Sequence, residues 1–339
     1  MAALQSDHPI TLAIDAMGGY NAPDQIVEAI ARASAELSRG GGTRPVFFTL
    51  VGDERVVASA LSARSHNPER INVVHSPFMV GMGESARKAL ERDALTSIRI
   101  ACSLVADGYA DAVISAGHPG ATVLAAKDTL GLREGITRAA LAAVYPIPRR
   151  YGQEDPFGLL LDIGASAHAT SEDLVCFAQM GAEYARIVSG RQAPRIALLS
   201  NSREATSAPP EVAEAHARLL VREDLNYVGT IEGHELLRAR VDVIVCEGFV
   251  GDVTVKVLEG AGEAAWEMAR AAYQSKFAYR QGLRLLSSGL EKVRRYIDFE
   301  EYGGAPLLGL EGPVILADPR SGAKALRNAV RLAIKNLNA

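Results

Sequence analysis

Four short stretches concentrate the residues that could do chemistry. Each sets an acidic or imidazole side chain among glycines. They are Asp15-Ala16-Met17-Gly18-Gly19, Ser115-Ala116-Gly117-His118-Pro119-Gly120-Ala121, Asp162-Ile163-Gly164-Ala165-Ser166 and Glu247-Gly248-Phe249-Val250-Gly251-Asp252. Glycine lets backbone N–H groups come close to a ligand. A helix that starts just after such a turn favours an anion at its N-terminus. An anionic or phosphate-bearing ligand is the chemistry these turns suit. His118 sits on one of them, where a neutral imidazole can act as acid or base near pH 7. The alternative is a structural histidine beside Pro119. Asp15 and Asp162 either orient a base, bind a hydroxyl or cap a helix. Lys256 either pairs with phosphate one turn into a helix or is simply solvated, and Arg203 could pair with phosphate beside Glu204. Asp252 is a plausible N-cap, and it adds negative charge next to a proposed anion site.

Several other chemistries lack their signatures. No G-x-G-x-x-G follows the first apolar run, and no G-x-x-x-x-G-K-[ST] or G-x-S-x-G occurs. Dinucleotide, P-loop and nucleophile-elbow chemistry are therefore disfavoured. Cys102, Cys176 and Cys246 are far apart in sequence and lie in apolar surroundings. They read as reduced, buried thiols, and neither a metal site nor a cofactor is expected. A net charge of −4 argues against a large nucleic-acid surface. Met1 to Pro9 has no basic stretch followed by an apolar run, and no uncharged run is long enough to span a bilayer. A cytoplasmic protein, at most peripheral on a membrane, is the expectation.

The elements that must position these residues alternate along the 339-residue chain. Short apolar runs at 11–15, 46–51, 71–74, 111–115, 159–163, 196–199 and 241–246 read as strands. They are mostly continuous rather than alternating, as strands covered on both faces are. Helical patterns lie between them at 24–38, 85–105, 171–188 and 211–222. This repetition predicts βαβ units in a three-layer α/β/α sandwich around a mostly parallel, Rossmann-like sheet. In such a sheet the four glycine turns would line one crevice at the carboxyl ends of the strands. A long helix follows from Asp252 to about Tyr273. A second helical arm, about 273–298, carries Leu283, Leu285, Leu286 and Leu290 among basic residues. That composition suits an interfacial membrane contact or a dimer surface equally. The chain closes with a strand at 314–316 and a helix at 321–337, and it reads as one domain over 1–339.

The motifs, taken in order, resemble the bacterial phosphate acyltransferases of phospholipid synthesis. The resemblance rests on Ile14 to Gly19 with Asn21-Ala22-Pro23, on Asp111 to Gly117, and on Leu160 to Ala165. It continues through Gly248 to Val253 with Lys256 and Leu258-Glu259-Gly260, and through Tyr302 to Gly309. It implies transfer of a fatty acyl group from acyl carrier protein (ACP) to inorganic phosphate. It also implies a homodimer, and membrane contact through the 273–298 arm. Phosphate is itself a nucleophile, so no covalent enzyme intermediate is needed. The chain departs from the family at polar positions. The family's Gly-Asn-Thr-Gly-Ala is Gly117-His118-Pro119-Gly120-Ala121 here, its Asp-Val-Gly-Ala-Asn ends in Ser166, and its Phe-Thr-Gly-Asn reads Phe249-Val250-Gly251-Asp252. Its Gly-Ser-Ser segment reads Asp318-Pro319-Arg320-Ser321-Gly322. Two other readings stay open: a paralogue with another acyl donor, such as acyl-CoA, or another nucleophile, and a non-catalytic dimeric scaffold that binds acyl-ACP.

Overall fold

The structure, a computed structural model, describes residues 8–39, 44–145, 158–238, 240–275, 281, 284–286, 301 and 303–338. The first unit comprises β1 (Ile10–Asp15), α1 (Asp24–Arg39), β2 (Val46–Gly52), α2 (Glu54–Ser62), β3 (Ile71–His75), α3 (Ala86–Arg92), α4 (Ser97–Ala106), β4 (Ala112–Ser115) and α5 (Pro119–Leu130). After β5 (Ala140–Val144) come β6 (Leu159–Leu161), α6 (Ser171–Ser189), β7 (Ile196–Ser200), α7 (Pro210–Leu220), β8 (Tyr227–Glu232) and β9 (Val243–Val245). The chain then forms α8 (Gly248–Ser275), β10 (Ala305–Leu308), β11 (Val314–Leu316) and α9 (Ala323–Leu337).

Among the described residues, eleven strands join one sheet in the order β3-β2-β1-β4-β11-β10-β5-β6-β9-β7-β8. Alternate residues of one strand feed opposite cores, because successive side chains point to opposite faces. In β1, Ile10, Leu12 and Ile14 pack with α1 and α9, whereas Ala13 packs with α4 and α5. In β6, Leu159 and Leu161 pack with α6, whereas Leu160 packs on the other side. Both halves of the sheet are therefore covered on both faces, which is the expected three-layer sandwich. Helix α6 shows how sequence secures one layer. Thr170 and Asp173 form a reciprocal capping box, and Leu174, Phe177, Ala178, Gly181 and Ala185 recur at helical spacing on its buried face.

The strand directions differ from the expectation of a single crevice. Strands β1, β2, β3, β4 and β11 run parallel to one another. Strand β10 is antiparallel to β11 and to β5, and β5 is antiparallel to β6. Strands β6, β9, β7 and β8 then run parallel to each other in the reversed sense. The turns after β1 and β4 thus lie at one edge of the sheet, and those after β6 and β9 at the opposite edge. The four glycine turns form two clusters instead of one.

Smaller differences have local causes. The helix expected over 85–105 is broken into α3 and α4. The Ser76 hydroxyl lies 2.9 Å from the Leu95 carbonyl oxygen, and the Ser97 N–H donates to the Phe78 carbonyl at 2.9 Å. Both bonds pull the chain out of the helical path. Strands β5, β8 and β10 carried too little pattern to be foreseen. The first is alanine-rich, the second is a half-buried edge, and the third contains Pro306. Helix α8 is described as far as Ser275, and most of the expected arm lies outside the described residues. Of its four leucines only Leu285 and Leu286 are described, and both are exposed.

Candidate active site

The first cluster is built where β1 and β4 end side by side. Asp15 is buried, and its carboxylate accepts a hydrogen bond from the Ser115 hydroxyl at 2.8 Å. Ser115 in turn accepts from the Gly117 N–H at 3.0 Å. Asp15 also accepts from the Met17 N–H at 3.3 Å, and Ser97 stands beside it at the start of α4. Burial pushes the Asp15 carboxyl above its usual range, while Ser97, Ser115 and the Met17 and Gly18 amides hold it down. The two turns touch. A methyl group at Gly18 would stand 2.7 Å from the Gly117 Cα, and Gly19 has φ +103° with the Ala116 carbonyl oxygen against it. Only glycine fits at either place.

Around this contact several helices present their N-termini. Helices α1, α2, α5 and α9 each follow a strand that ends at this edge, and α4 begins beside Asp15. The N-cap residue of α4, Thr96, places no side chain on the first turn, whereas at α9 the Ala323 N–H donates to the Gln25 side-chain oxygen at 3.1 Å. Converging helix N-termini favour an anion. Helix α5 is capped by His118, whose Nδ1 is 3.4 Å from the Ala121 amide. His118 is half-buried, and Gly120, in the first turn of α5, is exposed. The Gly120 amide lies where no helical carbonyl can reach it.

The second cluster uses its groups differently. Asp162 is fully buried. Its Oδ1 accepts from the amides of Leu141 at 2.9 Å, Gly164 at 3.0 Å and Ala165 at 2.9 Å, and its Oδ2 accepts from Ser166 at 2.7 Å. The carboxylate fills the nest of N–H groups that a phosphate would otherwise occupy. The amides of Gly164, Ala165 and Ser166, expected as ligand donors, are thus spent on the protein itself. Burial still pushes the Asp162 carboxyl upward against these bonds. Helix α8 docks on this knot: the Gly248 N–H donates to the Ser166 hydroxyl at 3.2 Å, and a methyl group at Gly251 would overlap the Asp162 carbonyl oxygen. Gly251→Ala is therefore expected to lower stability by about 2 kcal/mol through overpacking, read from the midpoint of chemical unfolding. A shift below about 0.5 kcal/mol would mean that α8 moves away freely.

The remaining basic candidates are engaged. Lys256 pairs with Asp252 at 2.6 Å along one helical turn. Arg203 pairs through two nitrogens with the buried Glu235, which also holds Arg240. Arg203 thus locks the segment after β7 to that after β8. The carboxylate of Glu235, thirty-two residues away, is the partner that the local sequence gave no sign of. Helix α8 leads from the Asp162 cluster toward the segment after β11, where Glu259 meets Arg320 at 3.8 Å. Arg320 also pairs with Asp318 at 2.9 Å. The Pro319 carbonyl accepts from the Tyr20 N–H at 2.9 Å, which ties this segment to the Gly18-Gly19 turn. Lys256 lies one turn before Glu259, on the stretch that joins the two clusters. Ser97 carries no local sign of a role, and Glu259 stands in the sequence only as part of the family motif Leu258-Glu259-Gly260. Ser115, at the end of an apolar run before Ala116-Gly117, does carry a local sign.

The α/β fold itself is shared with solved phosphotransacylases. A phosphotransacetylase from Streptococcus pyogenes aligns with a TM-score of 0.61 at 17% identity, over 97% of this chain and 94% of that one. The EutD phosphotransacetylase from Staphylococcus aureus aligns at 0.57 and 16% identity, over 97% and 94%. At these identities the likeness is one of fold. The sequence is more specific. A family model described as "Fatty acid synthesis protein" matches residues 10–339. Phosphate acyltransferases from Citrifermentans bemidjiense and Nitratidesulfovibrio vulgaris are 39% and 35% identical over 322 residues. These matches cover 95% of this chain and 88% and 90% of those proteins. The chain belongs to the phosphate acyltransferase family, and its class of chemistry is acyl transfer to phosphate in phospholipid synthesis.

Proposed function

We propose that the crevice at the ends of β1, β4 and β11 transfers a fatty acyl group from the thioester of ACP to inorganic phosphate. The observation that carries this reading is the Gly18–Gly117 contact, backed by Asp15 and ringed by helix N-termini. There, phosphate is held by peptide N–H groups, with Gly19 and Gly120 nearest the opening. One phosphate oxygen attacks the thioester carbonyl, and the carbon–sulfur bond breaks. Positioning and stabilisation of the oxyanion supply most of the rate. His118 takes a proton from phosphate or gives one to the leaving thiolate. Asp15 acts through Ser115 and the glycine turn, and Asp162 acts as scaffold. Purified protein given acyl-ACP and phosphate is expected to release carrier thiol in a phosphate-dependent manner. No such release at any chain length would overturn the reading.

A second reading keeps acyl transfer but changes the donor or the acceptor. It is favoured by Asp252, whose carboxylate takes up the Lys256 ammonium at 2.6 Å and adds charge that would repel a free phosphate near α8. Mass spectrometry of products from acyl-CoA and varied nucleophiles separates the two readings. We also propose a homodimer at the inner face of the membrane. Val250, Val253, Val257 and Met268 are exposed at helical spacing on α8, which suits a helical interface, and the exposed Leu285 and Leu286 suit lipid contact. Sedimentation as a monomer at micromolar concentration would count against the dimer.

A further inference from the structure

The segment between β3 and α3 turns apolar side chains outward beside the crevice. Pro77 to Gly83 is seven residues without a charge. Within it Phe78 is 46% exposed and Met79 is 49% exposed, and the neighbouring Leu95 is 55% exposed. Single exposed apolar residues need no explanation, but a cluster of large ones on adjoining segments does. These three are fixed in place. Phe78 bridges to Thr96 as a strand pair. The buried Ser76 hydroxyl lies 2.9 Å from both the Phe78 and the Leu95 carbonyl oxygens. Val80 is anchored in the core, so the loop cannot fold its apolar side chains inward without losing these bonds.

The cluster is continuous with the crevice at both ends. Ser97, two residues after Leu95, stands beside Asp15 and holds its carboxyl down, which puts Leu95 within about 7 Å of backbone from that neighbour. At the other end Ala86 and His118 both border Gly120: a methyl group at Gly120 would be 3.6 Å from the Ala86 Cβ and 3.4 Å from the His118 ring. A group that reacts beside His118 and Gly18 therefore has an apolar shelf next to it and charged surface beyond it, at Glu84, Arg87 and Lys88. Flexible thioether and aromatic side chains suit an unbranched chain that can lie in more than one register.

We infer that Phe78, Met79 and Leu95 form the seat of the substrate's fatty acyl chain, an inference that rests on the acyl-transfer reading above. The chain leaves the reacting carbonyl and lies over this shelf. Short acyl groups end before they reach it. The shelf therefore sets the preference for long over short chains and contributes nothing to phosphate binding.

The test compares wild type with the Phe78→Ser/Leu95→Ser double variant, using carrier-bound thioesters of four and sixteen carbons. For the sixteen-carbon donor kcat/KM is expected to fall about 10-fold or more, as the loss of a few buried methylene contacts requires. For the four-carbon donor it is expected to stay within about 2-fold, since a short chain forgoes that burial. The affinity for hexadecylphosphonate, measured by calorimetry, is expected to weaken alongside, with the thermal transition of the protein unmoved. An equal loss for both donors would overturn the inference and mark the shelf as a docking surface for the carrier. No loss for either donor would overturn it as well. If wild type itself shows no phosphate-dependent transfer, the function reading fails. The hexadecylphosphonate comparison then decides the shelf alone, and equal affinity in wild type and variant overturns it.

Discussion

Replacing Asp162 with alanine is expected to remove about 4 kcal/mol of stability. The reason is arithmetic on backbone groups. Four amides, those of Leu141, Gly164, Ala165 and Ser166, donate to this one buried carboxylate. A buried donor left without an acceptor costs about 1–3 kcal/mol. Water entering the vacated space recovers part of that, which brings the total to the value given. The damage spreads beyond the turn, because Gly248 and Gly251 of α8 rest against the same residue. The midpoint of thermal unfolding is expected to drop by about 6 °C. Asp162→Asn is expected to cost less, since one oxygen still accepts, although its amide faces N–H groups. Denaturant unfolding followed by circular dichroism measures both variants. A loss below about 1 kcal/mol for the alanine variant would mean that the turn is held by its backbone alone.

The same residue marks the limit of what sequence reveals here. The apolar runs gave away most strands, because a strand covered on both faces must be apolar throughout. Ile10–Asp15 and Ile196–Ser200 were visible for that reason. The sense in which a strand runs is a different matter, since pairing between β5 and β6 joins residues such as Ala142 and Leu161. Nothing local encodes that reversal, and with it the two glycine clusters move to opposite edges. Asp15 and Asp162 look alike in the chain: each ends an apolar run and each precedes a glycine turn. Their surroundings make them unlike. Asp162 is saturated by three amides of its own turn and that of Leu141 on β5, whereas Asp15 stands against residues 97 and 115, on other elements. Arg203 read as a phosphate partner because its true partner, Glu235, is far along the chain. The shelf at Phe78 could not be read either, because exposure of apolar residues is a property of the folded surface.

Asp15→Asn is expected to fold and to lose about 100-fold in kcat, the scale that follows from displacing reacting groups by about 1 Å. The amide can donate to Ser115, but the Ser115 hydroxyl must then turn toward Thr122, 3.4 Å away. Its hold on the Gly117 N–H, and through it on the contact with Gly18, is altered. The pH dependence of stability separates this effect from simple damage. Burial raises the Asp15 carboxyl above its ordinary value of 3.8. The folded state therefore keeps its proton to higher pH than the unfolded chain does. That contribution to stability is complete below pH 3.8 and is lost as pH rises through the raised folded value. Asparagine cannot ionise and escapes the loss. The stability of Asp15→Asn relative to wild type is therefore expected to climb as pH is raised from about 4, while its activity stays low throughout. A general loosening of the crevice would lower stability and activity together at every pH. A variant that keeps activity within about 3-fold of wild type would show that the glycine contact holds without Asp15. The reaction would then depend on the peptide N–H groups and His118 alone.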